Sequence, residues 1–337
     1  MKRSTLWYVL QTVALLGLVV ALVGCGGGDN RSDSSKPLTI AYSDWPGWLV
    51  WEIAVQKKLF DEEGVKVDMK YMEYDATINA FAASEVDGVC IVCGDALTVG
   101  DKTPSTAIVL TDYSNGNDKI IGVEVDSIKD LKGKKVGVEL NHVDHLLLVK
   151  ALEKNGMKET DVKLINNETA KLPAALRSGG VQAVGVWYPI SGEALKVPKA
   201  KALFTSADEP GLIYDALHVS RKTLSTRRDD WKKVVAVWFK CLAFLEDAKT
   251  HDEAVKIMAK RISADAKPED LEKNLKGTKL LDRDGNLKAM EERDTLDSVH
   301  GSMKTADQFY VKTNYYTDPR YDKKYVDVGL VKEVGKK

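Results

Sequence analysis

The sequence predicts an α/β protein with two lobes, each built on a doubly wound and mainly parallel sheet. Short apolar strands alternate with helical patterns in one series and then in a second series, a spacing typical of such sheets. A chain of 337 residues also exceeds one ordinary hydrophobic core. The two series share a similar helix-to-strand passage, at 79–89 and 173–184, which favours two lobes of related architecture.

The first series contains four predicted strands and two main helices. The strands are expected at 38–42, 65–71, 88–92 and 107–111. The helices are expected at 48–62 and 76–83, with a short further helix from about Asp95. The strand at 88–92 has the continuous apolar character of a buried strand.

The second series repeats this alternation of strands and helices, and a mainly helical segment follows it. Its strands are expected at 135–139, 161–165 and 183–186, and its helices at 145–155 and 169–177. From Trp231 onward the pattern is almost wholly helical, with one apolar stripe that includes Trp238 and Cys241. Further helices are expected at 252–261, 268–275 and 295–311.

The first residues have the pattern of a bacterial lipoprotein signal. Lys2 and Arg3 precede an apolar stretch at 6–23, and Leu22-Val23-Gly24-Cys25 resembles the lipobox, in which a dedicated peptidase cuts before the cysteine and the cysteine thiol is acylated. The alternative is an uncleaved transmembrane helix, because about 18 residues is the shortest span that crosses a bilayer. We expect an extracytoplasmic protein that is anchored to the cell membrane by lipid on Cys25.

These patterns predict four parts of the chain. The C-terminal helices are expected to pack back on the first lobe, with crossovers near 120–125 and 214–219. The parts are a signal peptide at 1–24, a disordered polar tether at 25–36, a first lobe at 37–122 plus 217–337, and a second lobe at 123–216.

The charge balance excludes one class of partner. The chain has 49 basic and 50 acidic side chains, and no concentrated basic face is evident. Nucleic acid is therefore not expected as a partner, because binding its phosphates requires such a face.

Several blocks together resemble the nitrate/sulfonate/taurine (NitT/TauT) and thiamine-precursor group of periplasmic binding proteins. They lie at 40–42, 59–65, 79–89, 94–96 and 131–136. The resemblance implies a type II periplasmic-binding-protein fold that closes by a hinge and delivers a small molecule to the permease subunits of an ABC importer. It also implies a monomer without enzyme activity or cofactor.

One turn is similar to a particular branch of that group. Tyr113-Ser114-Asn115-Gly116-Asn117-Asp118 follows the fourth strand and resembles proteins that are associated with urea carboxylase systems. Such systems are linked to guanidine metabolism, so the resemblance implies guanidine as a candidate ligand.

The candidate site lies in five loops that follow the carboxyl ends of strands, where ligands bind in open α/β sheets. These loops are 43–48, 93–96, 113–118, 139–145 and 187–189. None of them contains Arg or Lys. The predicted ligand-binding residues are aromatic, acidic or polar: Asp44, Trp45, Trp48, Asp95, Asn117, Asp118, Glu139, His142 and Trp187.

This composition favours a planar cation over an anion. Carboxylates accept the paired N–H groups of a guanidinium, and indole faces attract cations. Sulfonate binders usually have a Gly-Ser-Ser-like turn where this chain has Asn141-His142-Val143, so the hydroxyls expected to hold a sulfonate are missing.

Structural roles remain open for several of these residues. Asp95 could cap a helix, and the turn that contains Asn117 could form for local reasons. His142 and His145 resemble a metal pair, but without a third close His or Cys no metal site is expected. Cys90 and Cys93 are expected to be buried free thiols, with a local disulfide as the alternative.

Other ligands and other classes of function also stay open. The ligand could be a sulfonate, nitrate or a thiamine-precursor pyrimidine. The protein could instead be an enzyme similar to a thiamine-precursor synthase, or a sensor domain that signals to a membrane receptor.

Overall fold

The computed structural model describes residues 36–335. The predicted signal peptide, Cys25 and the tether up to residue 35 lie outside the described residues. No helix among residues 36–335 is both long and apolar enough to cross a membrane.

The described chain folds into two sheets with helices around them. The strands are β1 (Leu38–Tyr42), β2 (Val67–Tyr71), β3 (Gly88–Val92), β4 (Ser105–Ser114), β5 (Lys119–Val123), β6 (Lys135–Val138), β7 (Lys163–Asn166), β8 (Ala183–Val186), β9 (Ala200–Thr205), β10 (Tyr214–Ser220) and β11 (Thr278–Leu280). The helices are α1 (Trp51–Gln56), α2 (Leu59–Glu63), α3 (Tyr74–Ala82), α4 (Ala96–Val99), α5 (Val143–Lys154), α6 (Leu172–Arg177), α7 (Ile190–Leu195), α8 (Arg221–Thr226), α9 (Arg228–Glu246), α10 (His251–Ile262), α11 (Pro268–Leu275), α12 (Arg283–Ala289), α13 (Val299–Lys312) and α14 (Gly329–Glu333).

Five strands of the first sheet are arranged in the same spatial order as the five strands of the second, and β11 is added at the edge of the first. The first sheet runs β2-β1-β3-β10-β4-β11, and the second runs β7-β6-β8-β5-β9. Strand β1 is parallel to its neighbours β2 and β3, and β6 is parallel to its neighbours β7 and β8. One antiparallel strand follows in each sheet: β10 lies between β3 and β4, and β5 lies between β8 and β9. The predicted α/β class with two doubly wound sheets is confirmed, and the inserted strands make both sheets mixed.

The chain passes between the sheets at two short segments. It leaves the first sheet after β4 and enters the second at β5, and it returns between β9 and β10. The stretches predicted as crossovers are thus the inserted strands themselves. The lobe boundaries predicted at 122–123 and 216–217 stay a prediction.

The C-terminal helices pack on the elements of the first sheet. Helix α9 contacts α1 and α2, and α14 contacts β4. The apolar stripe of α9 is buried, and Trp238 lies 4.9 Å from Trp51 between ring centroids. The helix predicted at 48–62 is divided at Lys58, whose left-handed backbone (φ 56°) separates α1 from α2.

One buried amide hydrogen-bonds to the backbone of β4 beside a bulge. Strand β10 pairs Ala216 with Leu110 and then Asp215 with Asp112, so that one residue of β4 is skipped. The Leu110 amide donates to Asn286 Oδ1 at 2.7 Å, and Asn286 Nδ2 donates to the Leu110 carbonyl at 2.9 Å. Asn286 is fully buried, and it pairs with the Leu110 amide and carbonyl next to the point where the pairing of β4 with β11 ends.

We expect Asn286→Ala to lower the free energy of unfolding by about 2–3 kcal/mol, because it leaves a buried donor and a buried acceptor without partners. Denaturant titration would measure the change. The control is Asn79→Ala on the exposed face of α3, for which we expect a change within about 0.5 kcal/mol. Equal stability of the two variants would contradict the role given to Asn286.

Candidate ligand-binding site

A cavity lies where the two sheets present their strand ends to each other. Its lining comes from the ends of β1, β3 and β8, the starts of β5 and β10, and the first residues of α3 and α5. The cavity has a volume of about 20 Å³, roughly the space that one or two water molecules require. The lining residues are Ser43, Asp44, Trp45, Trp48, Tyr74, Val92, Asp118, Val143, Trp187, Ile213 and Asp215.

Aromatic rings form a continuous wall of this cavity. Trp48 stacks on Tyr74, with 5.4 Å between ring centroids and 23° between planes. Trp45 lies 6.3 Å from Trp48, and Trp187 meets Tyr74 edge to face at 6.0 Å. Trp187 follows β8 of the second sheet, whereas the other three belong to the first. The wall therefore spans both halves of the molecule.

Three carboxylates complete the lining. Asp118 and Asp215 are 2% and 1% exposed, and the Oδ2 atom of each has no hydrogen-bond partner among the described residues. Burial raises the pKa of Asp118 to about 6 and that of Asp44 to about 6. Burial, and next the neighbouring Asp112, also raise the pKa of Asp215 well above its usual value. At Asp118 a hydrogen bond with Ser114 and the charge of Lys119 lower the pKa and offset part of the effect of burial.

A further carboxylate behind the wall fixes the orientation of Trp45. Asp112 is paired in register with Asp215 across β4 and β10, and its Oδ1 accepts a hydrogen bond from Trp45 Nε1 at 2.9 Å. Burial raises the pKa of Asp112 to about 7. A Cβ at Gly47 would lie 1.9 Å from Asp112 Oδ2, so the Trp-Pro-Gly turn requires glycine at this position.

Asp95 supports the cavity from outside its lining. Its carboxylate accepts hydrogen bonds from Tyr74 Oη at 2.9 Å and from Tyr310 Oη at 2.6 Å. Its side chain makes no capping hydrogen bond to α4, so Asp95 does not act as a side-chain cap of that helix. Asp95 thereby orients Tyr74, which stacks on Trp48.

Three other predicted residues lie outside the cavity lining. Asn117 Nδ2 donates to the Asn274 carbonyl at 2.7 Å and to Thr278 Oγ1 at 2.8 Å. Glu139 Oε2 accepts from the amide and the hydroxyl of Thr169 at 2.9 Å and 2.8 Å, and His142 lies next to it. The ligand-binding role of Asn117, Glu139 and His142 stays a prediction.

Sequence reasoning missed Tyr74, Asp112 and Asp215. Tyr74 precedes the predicted start of its helix, and Asp112 follows the predicted end of its strand. Asp215 interrupts the apolar stretch 212–219. A carboxylate within a buried strand is costly unless it has a use, so Asp215 was the one of the three with a detectable signal.

The remaining histidine and the cysteines have structural surroundings. His145 Nδ1 accepts from the Asn141 amide at 3.2 Å, and its ring packs edge to face on Phe309 at 5.0 Å. Cys90 and Cys93 are buried free thiols, and burial raises the pKa of both.

The comparisons with known proteins agree with this architecture. The family model described as NMT1/THI5 like matches residues 51–245. A protein described as a binding protein, from Brucella abortus (strain 2308), is 29% identical over 238 residues, which are 68% of this chain and 72% of that protein. The arginine-binding extracellular protein ArtP of Bacillus subtilis (strain 168) is 24% identical over 155 residues, 41% of this chain and 56% of its own.

A solved structure extends the likeness to the whole fold. The periplasmic aliphatic sulphonate binding protein SsuA from Escherichia coli matches with a TM-score of 0.67 at 18% identity, covering 85% of this chain and 95% of its own. The likeness shows the fold, and the predicted periplasmic-binding-protein architecture is confirmed.

Proposed function

Because the chain belongs to the NMT1/THI5-like family, we propose that it is the solute-binding component of an ABC importer. We further propose that its ligand is a small planar cation, with guanidine as the best representative. The single observation that supports this ligand is the lining itself, in which three buried or half-buried carboxylates and four aromatic rings meet without a Lys or Arg.

A guanidinium matches this lining in charge and in shape. Its N–H groups can donate to carboxylate oxygens such as Asp118 Oδ2, which has no hydrogen-bond partner among residues 36–335. Asp215 also lines the cavity, and its carboxyl is hydrogen-bonded to that of Asp112. Its flat face can rest against an indole, an attraction of about 0.5–2 kcal/mol.

An anion would meet the same carboxylates as repulsive neighbours. The sulfonate and nitrate alternatives each lack a basic partner among the lining residues. A neutral pyrimidine needs no such partner, so calorimetry has to separate it from guanidine. The likeness to the sulphonate-binding structure is one of fold, at 18% identity. The similarity to an arginine-binding protein supports a guanidinium-bearing ligand, whereas membership in the urea-carboxylase-associated branch remains a proposal.

Closure of two lobes would complete the site. Trp187 and Asp118 stand on the second sheet or at its edge, whereas Trp48 and Asp215 stand on the first. A ligand that contacts both sets stabilises the closed arrangement over an open one by the difference in its contacts. We propose the lobes 37–122 plus 217–337 and 123–216 as the moving parts.

Calorimetry against guanidine tests this proposal. We expect binding in the micromolar range, about −8 kcal/mol, and no binding of taurine or nitrate. Asp118→Asn preserves the size of the side chain but removes its charge, and should raise Kd about 10- to 100-fold, because a charge-assisted hydrogen bond contributes about 1.5–3 kcal/mol. Trp187→Ala should raise Kd severalfold through loss of the ring.

The control is Asp265→Asn, an exposed carboxylate whose loss should leave Kd unchanged. Tight nitrate or sulfonate binding with no response to any cation would rule out the cationic ligand. Recovery of chemically altered guanidine after incubation would favour the enzyme alternative. Loss of guanidine uptake on deletion of the gene would favour an importer over a sensor.

We also propose that the protein is a lipoprotein held outside the cytoplasm by an acyl group on Cys25, where it meets the permease as a monomer. The wild-type protein should incorporate radiolabelled palmitate, and a Cys25→Ser variant should not, because its only acylation site is removed. Metabolic labelling followed by immunoprecipitation, with Cys241→Ser as the control for a buried thiol, measures this. A wild-type protein that stays in the membrane without label would favour the uncleaved transmembrane helix.

A further inference from the structure

A second polar cluster lies next to the cleft and outside the cavity lining. Asp75 is in the first turn of α3, and Glu139 and His142 follow β6. One ligand atom from each of the three residues lies within 4.8 Å of the other two. We propose that this cluster binds one divalent transition-metal ion, with Zn²⁺ as the probe, and that the ion links α3 to the loop after β6.

The distance between His142 and Glu139 fits two ligands of one ion. His142 Nε2 lies 3.9 Å from Glu139 Oε1, which is too long for a hydrogen bond. Two tetrahedral ligands at the usual Zn–N and Zn–O distances of about 2.0–2.1 Å are about 3.3 Å apart. A shift of a few tenths of an ångström by each side chain would bring both atoms to an ion.

The surroundings of Glu139 prepare it for this role. Its Oε2 accepts two hydrogen bonds from Thr169, at 2.9 Å from the amide and 2.8 Å from the hydroxyl. This arrangement leaves Oε1 directed toward His142. A ligating carboxylate is commonly oriented by hydrogen bonds of this kind.

The donor set indicates the class of metal. One imidazole and two carboxylates suit Zn²⁺ and its neighbours in the first transition row better than Mg²⁺ or Ca²⁺, which prefer oxygen alone. Asp75 is exposed, and Glu139 and His142 are partly exposed, so the ion can enter from solvent. Water would supply the fourth ligand.

Such an ion would act on closure independently of the solute. Helix α3 packs on β1 and β3 of the first sheet, whereas β6 belongs to the second. An ion bound by both therefore stabilises the arrangement in which the two sheets are close. Its binding site lies outside the carboxylates that line the cavity, so the solute and the ion can be bound together.

Titration of the metal-stripped protein with Zn²⁺ against a chromophoric chelator tests the proposal. We expect one Zn²⁺ per chain, with Kd raised at least tenfold in His142→Gln and also in Asp75→Asn, because each removes a ligand from one side of the bridge. His251→Gln is the matched control, since it removes a partly exposed histidine that faces Glu272 at 3.0 Å, and Kd should not change.

Two results would overturn the site. The first is the absence of saturable Zn²⁺ binding by the wild-type chain, which would leave the cluster as an ion pair. The second is an unchanged Kd in Asp75→Asn, which would remove the bridge. Denaturation midpoints without metal establish that each variant is folded. The titration contains no guanidine, so its outcome is independent of the proposed solute.

Discussion

The structure depends on one electrostatic constraint, the burial of several carboxylates where the two sheets meet. Asp112, Asp118 and Asp215 are almost inaccessible to water, and each has an oxygen without a hydrogen-bond partner among the described residues. Ionised carboxylates in such surroundings are unfavourable unless a cation compensates them. The raised pKa values of these groups express the same cost. A bound cationic solute would offset this cost of burying the carboxylates. Binding of the solute would therefore favour closure of the lobes.

The topology brings these carboxylates together. Strands β5 and β10 run against their neighbours, so that their first residues lie beside the last residues of the parallel strands. Asp118 immediately precedes β5, and Asp215 is the second residue of β10. Each inserted strand therefore carries an acid to the edge at which Trp48 and Trp187 follow β1 and β8.

Local sequence patterns were sufficient to predict the fold and several of the loops that line the cavity. The apolar strands at 38–42, 88–92 and 183–186 have the bounds that the structure gives, since their residues are buried on both faces. The rule for strand ends selected Trp48 and Trp187, which line the cavity. Asp215 is visible in the sequence only as a carboxylate within an apolar stretch. Its place at the cavity follows from the pairing of β10 with β4, more than 100 residues apart, and was not predicted. The short strand β11 escaped for the same reason, since only its pairing with β4 defines it.

Proton release on binding is the most direct test of a cation site made of buried acids. A bound cation favours the ionised carboxylates and lowers their pKa values. Binding therefore releases protons at pH values that lie above the pKa in the complex and below the pKa in the free protein, which is about 6 for Asp118 and about 7 for Asp112. Calorimetry of guanidine binding at pH 6, in two buffers of different ionisation enthalpy, counts these protons. The account predicts net release and an affinity that rises from about pH 5.5 to 7.5. Proton uptake, or an affinity independent of pH over this range, would contradict it.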